Sequence, residues 1–548
     1  MPTKVKLSDL NYESYERITH LYDLNKYLSK ASSSVLTIQG ANKGLNSSYF
    51  AFRSKHDQDV YVRLKGMNRD SDLKVYTAQE FFQEGAHPFV TSTRAGLKQE
   101  NLFFQARRGK EYILSVRNLT KPLAEDVSKF TLEFLRYKHG NNPRINVPND
   151  EFFDQQWYLF NGSFQESATA KLSVLNSDTY AAEAWLYGTS AKGIPVAVID
   201  NGIDYAHPDL KNNLWVNRQE LEGLPDHDDD GNGYDDDIHG WNFSAKNDVA
   251  GNAEFCLAPR LCSHGTHVAG IIGAEGNNRI GVAGVAWQAE LMNLVYDPNQ
   301  IDRKIPEAVR YAVDNGAKVI NISLGDNIKI SPESYTKKGF NKAVRKAYLR
   351  AEDAFRYAAD NDVLVVVSAG NEASRQQGDL YYWDGVGNND RFFAGWASLG
   401  HKLDNIISVG SVGANGRIAP YSNYGKKTVD ILAPGGTLEV EYDFDQELDV
   451  TRVYDLMRFG IMSTFPVSDP NPYGRMLGTS MAAPIVSGAA ALVWAAMPDL
   501  SAPEVKQILL ESATKNPLNQ PFVDEGRQLD LFAAMQQVAS LQVGDVIS

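Results

Sequence analysis

The apolar run IPVAVID, residues 194–200, decides the fold of the larger part of this chain. It is continuously apolar and ends on a carboxylate, which is typical of a strand buried on both faces. Four similar runs follow: AKVINISLG (317–325), VLVVVSAGN (363–371), NIISVGSVG (405–413) and VDILAPG (429–435). Helical segments lie between several of them, such as IPEAVRYAVDNG (305–316) and NKAVRKAYLRAEDAFRYAAD (341–360). The alternation predicts an α/β fold with a parallel sheet and helices on both faces.

Polar residues stand where three of these apolar runs end. Asp200 follows VAVI, Ser323 follows INI and Asn371 follows VVVSAG. In parallel sheets the chemistry gathers beyond the carboxyl ends of the strands. We therefore expect these three residues to lie at one edge of the sheet, near the functional site.

Two further stretches supply a histidine and a serine. SHGTHVAGIIGA (263–274) and GTSMAAPIVSGAAALVWAA (478–496) place His264 and Ser480 where helices rich in small residues would begin. A serine hydroxyl is a poor nucleophile unless an imidazole takes its proton, and the imidazole needs a carboxylate to orient it. Alone, the aspartate or serine could be a helix cap and HGTH two buried histidines. Together, Asp200, His264 and Ser480 supply all three roles.

Two donors are predicted for the negative charge that forms on an attacked carbonyl. The helix that begins near Ser480 offers free N–H groups and its positive dipole end, and the Asn371 side-chain amide offers a second donor. Pro484 is expected in the first turn of that helix, where a missing N–H costs little. His267 is assigned to packing.

The three motifs VAVIDNGIDYAHPDL, HGTHVAG and GTSMAAP stand in the order Asp, His, Ser. In this they resemble the subtilisin-like serine proteases, the subtilases, whose triad order is Asp-His-Ser. The resemblance covers about residues 150–538 and extends to SLG, SAGNE, YSNYG and APGG. It implies a serine endopeptidase that hydrolyses polypeptides through an acyl-enzyme, with Asp200, His264, Ser480 and Asn371 as catalytic residues. A catalytically idle binding module and an enzyme that transfers acyl groups to amines are the rival functions.

The resemblance also implies where a substrate binds. An extended peptide would pair with the backbone of SLG, and SAG would form a wall of the primary specificity pocket. Glu372, at the rim, could favour a basic side chain or could be a solvated loop glutamate. The implied substrate-binding residues are Ser323, Leu324, Gly325, Ala369, Gly370 and Glu372.

Two calcium sites are predicted. The stretch GAEGNNRIGVAGVA resembles a calcium loop of the family, and its oxygen-rich ligand set suits calcium rather than zinc. It implies as ligands the side chains of Asp150, Asp209 and Asn278 and the carbonyls of Glu275, Ile280 and Val282.

The second candidate site is DHDDDGNGYDDD, residues 226–237. It matches the EF-hand loop pattern, except that aspartate rather than glutamate closes it. Its candidate ligands are Asp226, Asp228, Asp230, Asn232 and Asp237. The alternative is a charged surface loop.

The N-terminal part of the chain has a different pattern. Between residues 48 and 135, short runs such as YFAFR, DVYVRLKG and EYILSV are separated by polar breaks, which predicts a mainly antiparallel β-sandwich. They resemble the pre-peptidase C-terminal type of domain, with a generic sandwich as the alternative. Residues 1–40 are expected to be partly helical. We predict a domain over residues 1–138, a linker over 139–149 and a peptidase domain over 150–548. The first could regulate the active site, or bind substrate or a surface.

The overall composition excludes some classes of partner. The 548 residues carry a formal net charge of −14, which argues against nucleic acid. No uninterrupted apolar run approaches a membrane span of about 20 residues. A secreted or periplasmic protein is implied by the family, although the N-terminus lacks a signal-like apolar core. The two cysteines, Cys256 and Cys262, could form a disulfide, remain free thiols or, with nearby histidines, mimic a zinc cluster.

Overall fold

The structure is a computed structural model. It describes residues 147–161, 177–247, 262–296, 301–324, 342–377, 380–383, 395–437 and 459–547, together with Lys110 and eleven strands between Thr3 and Lys138. Contacts divide the chain into two units. The first comprises Met1–Val147 and Asn161–Asn176, and the second comprises Pro148–Phe160 and Ser177–Ser548. The proposed linker residues 139–146 lie outside the described residues.

The first unit contains two sheets, with strand orders β1-β4-β11-β6-β9 and β2-β3-β5-β10-β7-β8. All pairs are antiparallel except β1 with β4 and β3 with β5. In the second sheet, Phe52 of one strand stacks on Tyr112 of its neighbour with the ring centroids 5.4 Å apart. The strands are β1 (Thr3–Lys6), β2 (Tyr12–Tyr15), β3 (Ile18–Asp23), β4 (Val35–Lys43), β5 (Ser47–Arg53), β6 (Gln58–Lys65), β7 (Ser71–Thr77), β8 (Val90–Ser92), β9 (Glu100–Ala106), β10 (Glu111–Asn118) and β11 (Val127–Lys138).

The mainly antiparallel character of this unit confirms the sequence prediction. In residues 1–40 the described elements are β1, β2, β3 and the start of β4, while residues 7–11 and 24–34 lie outside the described residues, so the expectation of partial helix there stays a prediction. The described strands pair with strands further along the chain, as in the parallel register of β1 with β4. Strand formation depends on such neighbours more than on local propensity. The likeness to a pre-peptidase C-terminal domain stays a prediction.

The second unit is built on a nine-stranded sheet in the order β13-β14-β12-β15-β16-β19-β20-β24-β23. All its pairs are parallel except the last, β23 with β24. The strands of this unit, including the hairpins β17-β18 and β21-β22, are β12 (Ser190–Asp200), β13 (Gly240–Asn242), β14 (Gln288–Val295), β15 (Val319–Ile322), β16 (Leu364–Ser368), β17 (Ser374–Gln377), β18 (Leu380–Trp383), β19 (Ile406–Val412), β20 (Ile431–Pro434), β21 (Ile461–Thr464), β22 (Tyr473–Met476), β23 (Thr514–Lys515) and β24 (Arg527–Gln528).

Helices cover both faces of this sheet, which confirms the predicted α/β class. The α-helices are α1 (Ala181–Ala184), α2 (Arg218–Leu221), α3 (Ser263–Gly273), α4 (Ile301–Asp314), α5 (Lys342–Asp360), α6 (Thr479–Ala496), α7 (Ala502–Glu511) and α8 (Leu531–Ile547). Short 3₁₀ helices span Phe153–Gln155, Lys211–Asn213, Gly395–His401 and Asp524–Gly526. Alternate residues of β15 divide between the faces: Ile320 and Ile322 join the core packed on α4 and α5, while α6 packs on the opposite face.

Two observations bear on membranes and cysteines. Within the described residues α6 alone is long and apolar enough to span a membrane, but 83% of this helix is buried inside the protein, as in a core helix.

Cys262 is disulfide-bonded. The other cysteine of the sequence, Cys256, lies outside the described residues.

Candidate active site

The fold brings Asp200, His264 and Ser480 to the carboxyl edge of the sheet. Asp200 is the last residue of β12, while His264 and Ser480 are the second residues of α3 and α6. The His264 Nδ1 atom lies 2.8 Å from Oδ1 and 2.9 Å from Oδ2 of Asp200, whose carboxylate is fully buried. The Asn201 N–H also donates to Asp200 Oδ1 at 2.7 Å. Asp200 thus holds the Nδ1 edge of the imidazole in place.

Gly265 allows α3 to approach the end of β12 this closely. A Cβ atom on Gly265 would overlap the Gly202 carbonyl oxygen and lie 3.1 Å from Asp200 Cβ. The Gly265 N–H donates to Asn201 Oδ1 at 2.8 Å, which ties the start of the helix to the residue after Asp200. The glycine of the HGT motif is therefore required by geometry.

The pKa of His264 reflects two opposed effects. Burial of the imidazole by itself lowers the pKa, but the charge of Asp200 and the hydrogen bond to it together raise it above its ordinary value. Because Nδ1 faces Asp200, its proton is held there and Nε2 is left to act as the base. The raised pKa makes this base stronger than a free imidazole.

The Ser480 hydroxyl donates to the backbone carbonyl oxygen of Ser323 at 3.0 Å. The Ser323 hydroxyl in turn donates to the Ser480 carbonyl oxygen at 2.8 Å. Across the described part of the chain, no hydrogen bond joins Ser480 to His264. To act as a nucleophile activated by His264, the Ser480 hydroxyl would have to turn from Ser323 toward His264.

Pro484 corrects one sequence expectation. It is the sixth residue of α6, beyond the first turn. An N–H at this position would bond the carbonyl of Ser480, four residues earlier, so the proline leaves that carbonyl without its helical donor. The Ser323 hydroxyl takes the place of the missing donor.

Asn371 is arranged to present its amide N–H₂. Its Oδ1 accepts from the Thr479 N–H at 2.9 Å and from the Thr479 hydroxyl at 3.0 Å. These bonds orient the amide so that Nδ2 remains for another acceptor, and the residue is exposed. Thr479 and Ser480 are consecutive, so the Asn371 amide is fixed beside the start of α6.

The predicted specificity segment has a buried wall and a fixed carboxylate. Ala369 is buried, and Gly370 adopts a φ of +102°. Glu372 is exposed but not freely solvated, because its Oε2 accepts from Asn423 Nδ2 at 2.7 Å and its N–H donates to Asn423 Oδ1 at 2.9 Å. A side chain at position 370 would collide with this pair.

The remaining predicted substrate residues lie at the end of β15. Ser323 is buried, and Leu324 is partly buried against the core between the sheet and α4–α5. Gly325 lies outside the described residues. Asn423 lies in the YSNYG stretch, which carries part of the family resemblance, but the sequence analysis gave this residue no role.

Comparison with known proteins decides the family. A model of the subtilase family, Peptidase_S8, matches residues 191–527, more than half of the chain. This chain belongs to the subtilase family. The predicted resemblance is confirmed by that match.

Named relatives of this subtilase are proteases, two of which are named as serine enzymes. Subtilisin-like protease 1 of Plasmodium falciparum is 31% identical over 376 residues, 66% of this chain and 44% of that protein. The major intracellular serine protease of Bacillus subtilis is 32% identical over 317 residues, 57% of this chain and 72% of that protein. The thermophilic serine proteinase of Bacillus sp. strain AK1 is 29% identical over 385 residues, 69% of each chain. The match thus spans less than half of the length of the Plasmodium protein.

In this subtilase the first predicted calcium site brings Asp150, Asp209 and Asn278 together. Asn278 Nδ2 donates to Asp209 Oδ1 at 2.8 Å, and its N–H faces Asp150 Oδ1 at 3.3 Å. Further N–H groups donate to the two carboxylates, from Asn277 at 2.7 Å and from Val282 at 3.0 Å. Burial raises the pKa of Asp150 and raises that of Asp209 to about 6. Two buried carboxylates with raised pKa values form a site that a cation would stabilise.

The other residues predicted for this site flank those carboxylates. The Ile280 N–H donates to Asn278 Oδ1 at 2.7 Å. The Glu275 N–H donates to the Asp209 carbonyl at 2.8 Å, and its carboxylate accepts from Asn212 at 2.7 Å. Phe152 is joined to the same loop through the Gly281 carbonyl.

In the second predicted calcium site, Asp228 and Asp230 converge with Glu220, which the sequence analysis missed. One carboxylate oxygen of each lies within 4.8 Å of the other two. Glu220 is buried and accepts N–H bonds from Asp229, Asp230 and Asp236. Its segment, RQEL, resembles any exposed helical turn, so no sequence pattern distinguishes it. Asp226 lies outside this trio, and its N–H donates to Asp236.

Asp237 is fully buried beside Asp230. The Asn217 amide donates to both carboxylates, at 2.8 Å to Asp230 and 2.7 Å to Asp237, and the Asn232 amide likewise bridges them at 3.0 and 2.9 Å. The Tyr311 hydroxyl donates to Asp237 at 2.5 Å. The Asn217 and Asn232 amides thus lie between the carboxylates of Asp230 and Asp237, at a position where a cation would also be attracted.

Proposed function

We propose that this subtilase is a calcium-dependent serine endopeptidase with an Asp200-His264-Ser480 triad. The observation that carries the proposal is the bidentate contact of His264 Nδ1 with the buried Asp200 carboxylate, beside a serine at the start of α6. A buried aspartate of this kind orients the base and stabilises its cationic form.

The residues perform both halves of acyl transfer. The Ser480 oxygen attacks the peptide carbonyl while its proton passes to His264 Nε2. His264 then gives that proton to the leaving amine as the C–N bond breaks, leaving an acyl-enzyme ester on Ser480. In the second half His264 removes a proton from water, the hydroxide adds to the ester, and the proton returns to Ser480.

The negative charge on the carbonyl oxygen is stabilised by two donors. The Ser480 N–H lies at the start of α6 and has no carbonyl within the helix to bond. Asn371 Nδ2 is the second donor, and the Thr479 contacts fix it in advance of the reaction. Donors fixed in this way do not have to reorient when the negative charge forms on the carbonyl oxygen.

Substrate binding is proposed along the ends of β15 and β16. The backbone of Ser323, Leu324 and Gly325 would pair with an extended peptide, and Ala369 and Gly370 would form the pocket wall. Asn423 holds the Glu372 carboxylate at the rim, which favours substrates with a basic side chain at the cleaved bond. A substrate N–H reaching the Ser323 carbonyl would compete with the Ser480 hydroxyl and release it toward His264.

Calcium is proposed at two places, where all the candidate ligands are oxygen atoms. The first would be held by Asp150, Asp209 and Asn278 with the carbonyls of Glu275, Ile280 and Val282. The second would be held by Asp228 and Asp230, joined by Glu220, with Asp226, Asn232 and Asp237 as further candidates. The bound ion would neutralise clustered carboxylates and hold the loops, and it takes no part in the acyl transfer.

Residues 1–138 are proposed to regulate the peptidase domain. Removal of this segment, in a chain that starts near Asn141, is expected to change the rate of cleavage of a short peptide. A small-peptide rate that stays the same while protein substrates are cut more slowly would assign the segment to substrate binding instead.

The proposed activity is tested by product analysis of a denatured protein incubated with the full chain in calcium. The expected products are peptides whose mass has increased by one water at each cut, with none from Ser480→Ala. Products ligated to an added amine would identify acyl transfer, and intact substrate would overturn the proposed function.

A further inference from the structure

Asn321 is a polar residue in a place built for apolar ones. It lies in the middle of β15, in the strand sequence VINI, and its side chain is fully buried. Burial of a side-chain amide is unfavourable unless its hydrogen bonds are made. Its neighbours Ile320 and Ile322 face the α4–α5 side, so Asn321 points to the α6 side.

The Asn321 amide joins two serines of the active-site region. The Ser487 hydroxyl, in α6, donates to Asn321 Oδ1 at 2.9 Å. Asn321 Nδ2 donates to the Ser323 hydroxyl oxygen at 3.0 Å. All three side chains are buried, so water does not compete for these bonds.

The chain of donors ends on the nucleophile's own backbone. The Ser323 hydroxyl, with its oxygen occupied by Asn321, directs its proton to the Ser480 carbonyl at 2.8 Å. That carbonyl lacks a helical donor because Pro484 stands four residues later. The sequence of donors is therefore Ser487 to Asn321, Asn321 to Ser323 and Ser323 to Ser480. Each bond fixes the direction of the next, as in cooperative networks.

We propose that Asn321, supported by Ser487, is a positioning residue for the nucleophile. Because Pro484 has no N–H, the Ser480 carbonyl has no helical donor. The Ser323 hydroxyl, which Asn321 orients, donates to this carbonyl instead and so joins the start of α6 to the end of β15. Loss of the amide lets the Ser323 hydroxyl rotate and the Ser480 backbone shift, so the serine no longer meets the carbonyl it attacks in the right geometry. This inference rests on the proposed protease function.

The test compares Asn321→Ala and Ser487→Ala with the wild type in the full chain with calcium. We expect kcat for a short peptide amide, for which attack by Ser480 is the slow step, to fall about tenfold, with KM changed by less than about twofold, because misplacement of a reacting group acts on the chemical step. The rate of Ser480 labelling by a fluorophosphonate should fall by the same factor. The double variant should be no slower than Asn321→Ala, since both changes break one chain.

Asn405→Ala is the matched control. Asn405 is equally buried and donates to the carbonyls of Phe355 and Val363, which do not touch the triad. It should lower thermal stability while kcat and labelling stay at wild-type values. If Asn321→Ala does not fold, Ser487→Ala alone decides.

The outcomes separate this inference from the proposed function. A wild type that labels, with Ser487→Ala and any folded Asn321→Ala labelling at the rate of Asn405→Ala, overturns the positioning role alone. A folded wild type that neither labels nor hydrolyses overturns the proposed function and this inference with it.

Discussion

His264 is held by a single carboxylate, and this contact determines how the site responds to pH. In the proposed mechanism the imidazole must be neutral at Nε2 to accept the Ser480 proton. The Asp200 charge and hydrogen bond outweigh the opposite effect of burial and raise the pKa of His264. Protonation of His264 is therefore expected to abolish activity at a higher pH than protonation of a free imidazole would.

The pH dependence of kcat/KM should show this directly. On the acid side we expect activity to fall with an apparent pKa above the ordinary histidine value of about 6.5. In Asp200→Asn the charge is absent, so the apparent pKa should fall while kcat drops strongly. A wild-type acid limb below that ordinary value in a peptide-hydrolysis profile would contradict the proposed base.

Asn371 provides a second test at the level of one residue. Asn371→Ala should lower kcat about 10²- to 10³-fold with little change in KM, a magnitude known from subtilisin itself for one oxyanion donor. Asn361→Ala is the control, since Asn361 is exposed and its side-chain amide donates to the Tyr357 carbonyl at 2.8 Å, away from the triad. Steady-state kinetics on one peptide would decide, and equal kcat values for the two variants would remove Asn371 from the mechanism.

Among the elements, α3 and α6 depend on close backbone approach. Gly265 sits against the end of β12, and a Cβ atom at Gly488 of α6 would lie 2.7 Å from Val285 Cβ and 3.1 Å from the Ile272 carbonyl oxygen of α3. Small residues at these points allow two helices to bring His264 and Ser480 to one sheet edge. The catalytic geometry is therefore set by helix packing as well as by the strand ends.

Gly265→Ala should separate α3 from β12. The added methyl group has no space, so we expect a loss of stability of about 1–3 kcal/mol and a marked loss of activity. Gly188→Ala is the matched control, because a Cβ there meets nothing within 4 Å. Denaturant unfolding and peptide hydrolysis of both variants would measure the difference. A Gly265→Ala protein as stable and active as Gly188→Ala would contradict the packing account.

The sequence predicted the elements with strong local patterns and missed those fixed by partners elsewhere. Continuous apolar runs correctly predicted the strands around β12, β15 and β16. The strands described within residues 1–40 include β1 and β3, whose pairing with β4 and β5 local patterns do not reveal. Pro484 was misplaced because the start of α6 is set by its contacts with Asn371 and Ser323. Glu220, Asn423 and Asn321 become informative only once the fold shows what they contact.

For the whole molecule, the proposed calcium sites would link stability to calcium and pH through their clustered carboxylates. Burial raises the pKa of Asp209 to about 6 from an ordinary value of 3.8, so without calcium the folded protein retains a proton that the unfolded chain has lost. The contribution of Asp209 to the free energy of unfolding therefore falls as the pH rises through that window. A calcium ion at the proposed site would take the place of the proton and stabilise the ionised carboxylate.

Thermal unfolding with and without a chelator tests this linkage. In chelator we expect Tm to be lower at pH values above about 6 than near pH 5, and calcium should raise Tm most at the higher pH. Asp209→Asn should lose most of that calcium-induced rise. An equal rise in the variant and the wild type would place the stabilising ion elsewhere.

The acidic loop is tested by counting ions. Asp228→Asn combined with Asp230→Asn should reduce the calcium bound per chain by one, measured by titration calorimetry. Asp235→Asn, an exposed aspartate of the same loop, is the control and should bind as the wild type does. Unchanged stoichiometry in the double variant would make the loop a charged surface segment.

The most direct test of the central claim is the site of reaction with a fluorophosphonate probe in calcium. Mass spectrometry of the digested full chain should place a single adduct on Ser480, and the adduct should be absent from Ser480→Ala and His264→Ala. A folded, calcium-loaded wild type with Ser480 unmodified would contradict the triad and the proposed protease function.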